Sequence, residues 1–242
     1  MKIVSTKLCD FHDLSLEQAA LETQKLSQTT ASEIVITPNI DHMARLVEQN
    51  DQQLMSIYQD ASLCLCDSNI LQKLLSFKGI AIQFVVPGSS LTEYLFANVL
   101  SGDDKVLIIG GDEYVIKMMR NKYSHLTLDH YNPPMGFINK PDEVTKTVDI
   151  CIESQPDYIF LAVGSPRQEL LAKKVADTNA ITPVMLCIGA SILFLVDQEK
   201  RAPLWVQKIH MEWFYRMMQD PGRLVKRYGG NFLSLAKIYR AL

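Results

Sequence analysis

No stretch of this sequence stays apolar for the roughly 18 residues that a membrane-spanning helix needs, and its first residues, MKIVSTKLCDFHDLSLEQ, lack the basic-then-apolar pattern of a secretory signal. The expected setting is therefore the cytoplasm. Neither G-x-G-x-x-G nor G-x-x-x-x-G-K-[ST] occurs, which argues against a nicotinamide-dependent dehydrogenase and a P-loop nucleotidase. Cysteine is sparse and odd in number: Cys9, Cys64, Cys66, Cys151 and Cys187 match no zinc spacing and read as buried free thiols. Tryptophan is scarcer still, with two residues in 242, both beyond position 200.

What is present is an ordinary globular composition, 48% hydrophobic and 21% charged, with ten prolines dispersed along the chain. The length suits one large α/β domain or two small ones. The net charge of −3 conceals an asymmetry, because from Lys200 onward nine Lys/Arg face two acids, an excess of +7 that leaves −10 for residues 1–199. A basic tail on an acidic body predicts that the tail meets something anionic. The acidic body and the lack of a recognition motif argue against nucleic acid as that partner.

Short apolar or β-branched runs alternate with helical patterns, which predicts βαβ units and a Rossmann-like α/β fold, a mainly parallel sheet flanked by helices. Strands are expected at Glu33–Thr37, Ser62–Cys66, Ala81–Val86, Lys105–Ile109, Leu126–His130, Tyr158–Val163 and Val184–Ile188. Helices are expected at Leu14–Ser27, Ile40–Gln52, Ser68–Phe77, Ser89–Leu100, Asp112–Tyr123, Asp142–Ser154 and Arg167–Asp177. Nearly every strand ends in Gly, Pro or a small polar residue, and such sheets bind ligands at the carboxyl ends of their strands. The Gly110-Gly111 turn before a helix offers backbone amides to a phosphate.

Residues 201–242 break the pattern and form a C-terminal helical appendage, set apart from an α/β domain over residues 1–200. Two or three helices broken at Pro221 and Gly229-Gly230 are expected there. Trp205, Ile209, Trp213 and Met217 recur every four residues as an apolar stripe, suited to packing on the core or to lipid. Arg223 and Arg227 share a helix face.

Together TPNIDHMARL (37–46), Asp67, VGSPRQE (163–169) and RAPLWVQKIHMEWFYRMMQDPGRLVKRY (201–228) resemble the WecG/TagA/CpsF family of bacterial glycosyltransferases, glycosyltransferase family 26, from about residue 33 to residue 230. The resemblance implies transfer of a sugar, with inversion, from a UDP-sugar donor to a polyprenyl-diphosphate-linked glycan acceptor at the inner face of the cytoplasmic membrane. It implies Asp67 as general base for the acceptor hydroxyl, with N-capping of the next helix as the rival role. Thr37 and Asn39 would bond acceptor or donor sugar, although Asn39 also suits a helix cap. Donor and UDP contacts would come from Gly110, Gly111, Gly136, Gly164, Pro166, Arg167, Gln168, Glu169 and Gly189, with Gln168 at the pocket rim. Glu169, in a first helical turn, would equally serve the helix dipole.

Arg201, Arg216, Arg223 and Arg227 would meet the lipid diphosphate or an anionic membrane surface. No D-x-D occurs, so no cofactor and no metal are expected, and amides and arginines would neutralise the diphosphate. The sequence departs from the family with Ser68 after Asp67 and with Phe84–Leu91 lacking the family's arginine and aspartate, so N-acetylmannosamine, its uronic acid and glucose all remain open as the sugar. Oligomeric state is open too. The reading from a different class is a non-catalytic nucleotide-sugar or lipid-carrier binding module in a polysaccharide assembly complex.

Overall fold

The computed structural model describes residues 1–198 and 234–242. It opens with an antiparallel hairpin, β1 (Lys2–Ser5) and β2 (Asp10–Asp13), followed by α1 (Leu16–Leu26). Then come β3 (Glu33–Ile36), α2 (Ile40–Gln49), α3 (Gln52–Gln59), β4 (Leu63–Cys64), α4 (Asn69–Phe77) and α5 (Gly88–Asn98). The second half runs β5 (Lys105–Ile109), α6 (Glu113–Lys122), β6 (Thr127–Tyr131), a 3-10 turn at Phe137–Asn139, α7 (Pro141–Ser154), β7 (Tyr158–Leu161), α8 (Arg167–Ala176), β8 (Val184–Cys187) and α9 (Ser191–Leu195). Residues 234–241 form a last helix.

Six strands make one parallel sheet in the order β4-β3-β8-β7-β5-β6, the expected Rossmann-like α/β architecture. Apart from Glu33 and Lys105 at the starts of β3 and β5, its inner strands are apolar, as strands covered on both faces are. Alternation along β7 divides the core: Ile159 and Leu161 face one layer with α2, α4, α7 and α8, while Tyr158 and Phe160 face the other with α1, α5, α6 and α9. The helices after the adjacent strands β5 and β7 therefore leave toward opposite faces, and a crevice opens outside the carboxyl ends of these strands.

Several elements differ from the sequence expectation. Ala81–Val86 does not join the sheet. The edge of β4 beside it is occupied by the hairpin, where His12 Nδ1 accepts the Cys64 N–H at 3.0 Å. The segment stays extended because its polar groups find other partners: Asp13 Oδ1 accepts the N–H groups of Gln83 and Phe84 at 2.8 and 3.0 Å, and Val86 N donates to Cys66 O at 2.8 Å. The helix expected at Ile40–Gln52 ends at Gln49, because Asn50 adopts a left-handed conformation (φ 47°), and Asp51 then caps α3, a helix the sequence reading did not anticipate. The hairpin and α9 had no counterpart in the sequence reading.

Of the segment assigned to the appendage, residues 234–242 belong to the body's core. Ile238 is fully buried in the α2/α4/α7/α8 layer. Ser234 donates to Glu48 near the end of α2, and the Tyr239 hydroxyl lies 3.4 Å from Phe77 O at the end of α4.

Candidate active site

At the carboxyl edge, Thr37 follows β3 and Asp67 lies three residues beyond β4. Their register is fixed by backbone bonds: Leu65 N donates to Ile36 O at 2.9 Å and Asp67 N to Pro38 O at 3.0 Å. Asp67 does not cap α4, because Ser68 does, its Oγ accepting from Leu71 N at 3.3 Å. The Asp67 carboxylate instead turns to α5, where Oδ2 accepts the Gly88 N–H at 3.1 Å. Gly88 is the piece that closes this corner. A Cβ there would stand 2.6 Å from Thr37 Oγ1, so glycine lets α5 start this close to Thr37, with Asp67 Oδ2 at an ordinary 3.7 Å. Gly88 was read from the sequence only as part of a turn, although its Pro-Gly setting before a helix was the available signal.

Asn39 takes the capping role. Its Oδ1 accepts from Asp41 N at 3.0 Å and His42 N at 3.3 Å, which leaves its amide N–H groups as what it can offer a ligand. His42 completes the cap, Nδ1 accepting from Asn39 N at 3.1 Å, so the ring carries its proton on Nε2. Burial holds the His42 pKa below its usual value, opposed by Glu169 and reinforced by Arg45. His42 is thus a neutral donor rather than a base.

The β7–α8 turn holds the next group. Gly164 is left-handed (φ 74°), and the Ser165–Pro166 peptide is cis. Arg167, the first residue of α8, points outward, its Nη1 3.5 Å from Met135 Sδ beside Gly136. Gln168 and Glu169 turn inward, and for Gln168 this differs from the expected rim position. Gln168 is 2% exposed, its Oε1 accepting from Gly189 N at 2.9 Å and its Nε2 donating to Glu169 Oε1 at 3.1 Å. The cause is helical phase: Gln168 lies in register with Leu171, Ala172 and Val175, all fully buried against the sheet. Gln168 therefore ties the β7 turn to the β8 turn.

Glu169 is 1% exposed, and its Oε1 also accepts from the Tyr58 hydroxyl at 3.0 Å, whereas Oε2 has no hydrogen-bond partner among the described residues. A buried carboxylate is costly, and its place in the first turn of α8 sets it in the favourable potential of that helix start. Burial, and after it the Glu169 charge, pushes the Tyr58 hydroxyl well above its usual pKa. Sequence reading missed Tyr58, which nothing in its surroundings marks, and gave no role to Arg45, whose Nη1 donates to Ser165 Oγ at 2.7 Å.

Across the crevice, Gly110 (φ 101°) and Gly111 (φ 82°) form a turn that only glycine adopts readily. A Cβ on Gly110 would meet the Ala162 backbone at 2.9 Å. His130 Nε2 lies 3.2 Å from both Gly110 O and Gly111 O, while its Nδ1 faces Glu113 Oε1 at 3.2 Å. Asp112 caps α6 with its own carboxylate, accepting from Val115 N at 2.8 Å. This helix start thus presents Asp112 and Glu113, which would repel a phosphate.

All five cysteines are free and buried, and burial pushes the Cys66 and Cys151 thiols up to about 12, which makes them packing groups rather than nucleophiles. Among the described residues no cluster of metal ligands occurs, and no helix is long and apolar enough to cross a membrane. Arg201, Arg216, Arg223 and Arg227, assigned from the sequence to lipid diphosphate and membrane, lie outside the described residues.

Comparison with known proteins bears on the family of this chain. In Staphylococcus aureus strains MW2, NCTC 8325 and MRSA252, proteins named N-acetylglucosaminyldiphosphoundecaprenol N-acetyl-beta-D-mannosaminyltransferase are each 23% identical to this chain over 222 residues, covering 89% of it and 84% of their own length. The family model described as glycosyl transferase WecG/TagA/CpsF matches residues 3–242. With that match running over nearly all of its length, the chain belongs to the WecG/TagA/CpsF family of glycosyl transferases.

Proposed function

We propose that this protein is an inverting glycosyltransferase that moves a hexose or N-acetylhexosamine from a UDP-sugar to a polyprenyl-diphosphate-linked glycan, in the synthesis of a bacterial cell-surface polysaccharide. The observation that carries this reading is the corner where Asp67, Thr37 and Gly88 converge at the carboxyl edge of the sheet. Asp67 takes the proton from the acceptor hydroxyl as that oxygen attacks the anomeric carbon. The bond from C1 to the diphosphate breaks, and UDP leaves from the opposite face with the electron pair. Thr37 and the Asn39 amide orient the sugars. Gln168 and Glu169 act from behind the surface, holding the β7 and β8 turns where Gly164 and Gly189 meet the donor.

The relatives' names make N-acetylmannosamine the first donor to try and an N-acetylglucosaminyl-diphosphoundecaprenol analogue the first acceptor. No metal is assigned a role, since the sequence carries no D-x-D and the phosphate charge falls to arginines. The reaction takes place on the cytoplasmic face of the membrane, with the basic segment 201–233 against anionic lipid.

The test is UDP release from a panel of UDP-sugars in the presence of lipid and acceptor. Wild type is expected to turn over in EDTA, and Asp67→Asn to lose about 10²- to 10⁴-fold in kcat with an unchanged melting temperature. A wild type that binds UDP-sugars yet releases no UDP from any of them would identify a binding module instead. Activity abolished by EDTA would refute metal independence.

A further inference from the structure

We propose that Arg45 and Arg167 form a diphosphate-binding pair at the Gly164–Ser165–Pro166 turn. Arg45 lies on α2 about 9 Å along the axis from the Asn39 cap, and helical side chains lean toward the helix N-terminus. Its guanidinium therefore comes back to the carboxyl edge of the sheet, where Nη1 reaches Ser165 Oγ at 2.7 Å. Arg167 approaches the same turn, its Nη2 3.2 Å from where a Gly164 Cβ would be.

Neither guanidinium has a carboxylate at ion-pair distance among the described residues. Arg45 is half-buried and spends one of its five donors on a neutral hydroxyl, while Arg167 rests on the sulfur of exposed Met135, a weak acceptor. Glu169, the acid nearest in sequence, is turned away into its bonds with Tyr58 and Gln168. A partly desolvated cation without a counter-ion calls for an anion, and a guanidinium matches phosphate oxygens in bidentate fashion.

The two cations reach successive residues of one turn, Arg45 through its bond to Ser165 Oγ and Arg167 by its close approach to Gly164, so a multiply charged phosphate group over the turn would meet both. The turn also borders the crevice outside β5 and β7, opposite the acidic start of α6. Both diphosphates of the proposed reaction, that of the nucleotide and that of the lipid carrier, share this chemistry. The inference rests on the transferase reading only for the source of its ligand.

Calorimetric titration of the full-length protein with inorganic diphosphate tests the pair directly, beside UDP and uridine. Arg45→Gln and Arg167→Gln are each expected to weaken inorganic diphosphate at least tenfold, with Arg45→Lys intermediate and uridine binding, where present, unaffected. An equal loss for UDP with an unchanged acceptor KM assigns the pair to the donor. A raised acceptor KM with unchanged UDP affinity assigns it to the lipid diphosphate. Wild type that does not bind inorganic diphosphate, or variants that bind it as wild type does, would overturn the pair. In the second case a lowered melting temperature would reduce Arg45 to a latch between α2 and the turn. Because this binding needs no turnover, a wild type that holds diphosphate but transfers nothing would count against the transferase and leave the pair standing.

Discussion

Gly88 sets the distance between Thr37, Asp67 and the start of α5, and the smallest side chain added there has no room. Thr37 is 8% exposed and cannot swing into solvent when a methyl group arrives 2.6 Å from its Oγ1. Gly88→Ala is expected to cost about 1–3 kcal/mol in urea unfolding, as overpacked sites do. It should also lower kcat by about 10²-fold, since a shift of about 1 Å at a reacting group has that effect. A variant with wild-type turnover would show that the corner does not position the base. The placement of Asp67 and Thr37 at the carboxyl ends of strands was legible in the sequence. Gln168 was not, because its polarity suggested the rim, whereas the stripe it shares with Leu171, Ala172 and Val175 places it underneath. Periodicity was the better guide there, and the resemblance pulled the other way.

Among the elements, the hairpin and the extended segment 81–87 form a unit that the sequence showed as separate pieces. The run AIQFVV has the composition of a strand, but whether it pairs depends on who holds the edge of β4, and the hairpin that does so is 50 residues earlier in the chain. Such non-local competition leaves no mark in a local window. Asp13 is the joint: its Oδ1 accepts from Gln83 N and Phe84 N, and its Oδ2 pairs with Lys2 Nζ at 2.9 Å. Burial alone would raise its pKa, yet the Lys2 ammonium and the backbone donors of Phe84 and Gln83 outweigh it and hold the carboxyl below its usual value. A folded-state pKa below the unfolded one contributes stability that is fully present above the unfolded value, about 3.9, and disappears as pH falls through the folded value. Asp13→Asn keeps an oxygen for the two N–H groups but removes this titration. Urea melts between pH 6 and pH 3 should therefore show a shallower loss of stability on acidification in the variant than in wild type. Parallel curves would mean that Asp13 contributes no pH dependence.

For the molecule as a whole, the relation between the sheet and the end of the chain decides how much of the C-terminal segment can serve the site. Parallel βαβ units start each helix at the carboxyl edge and finish it at the opposite edge. Glu48 and Phe77 each lie about 13 Å along their helices from the caps Asn39 and Ser68, so the helix of residues 234–241, which touches both, anchors toward the far edge. That placement separates two duties that the basic composition of residues 201–242 had merged. The last nine residues fasten the end of the chain to the body through Ile238 and Leu242, away from the crevice. Ile238→Ala removes a fully buried side chain and is expected to destabilise the protein by about 2–5 kcal/mol. At a temperature where the variant remains folded, its UDP affinity should match wild type, because the binding crevice lies at the other edge. A variant whose UDP affinity fell while its melting temperature held would place this helix at the site, and the separation of anchor from active site would be wrong.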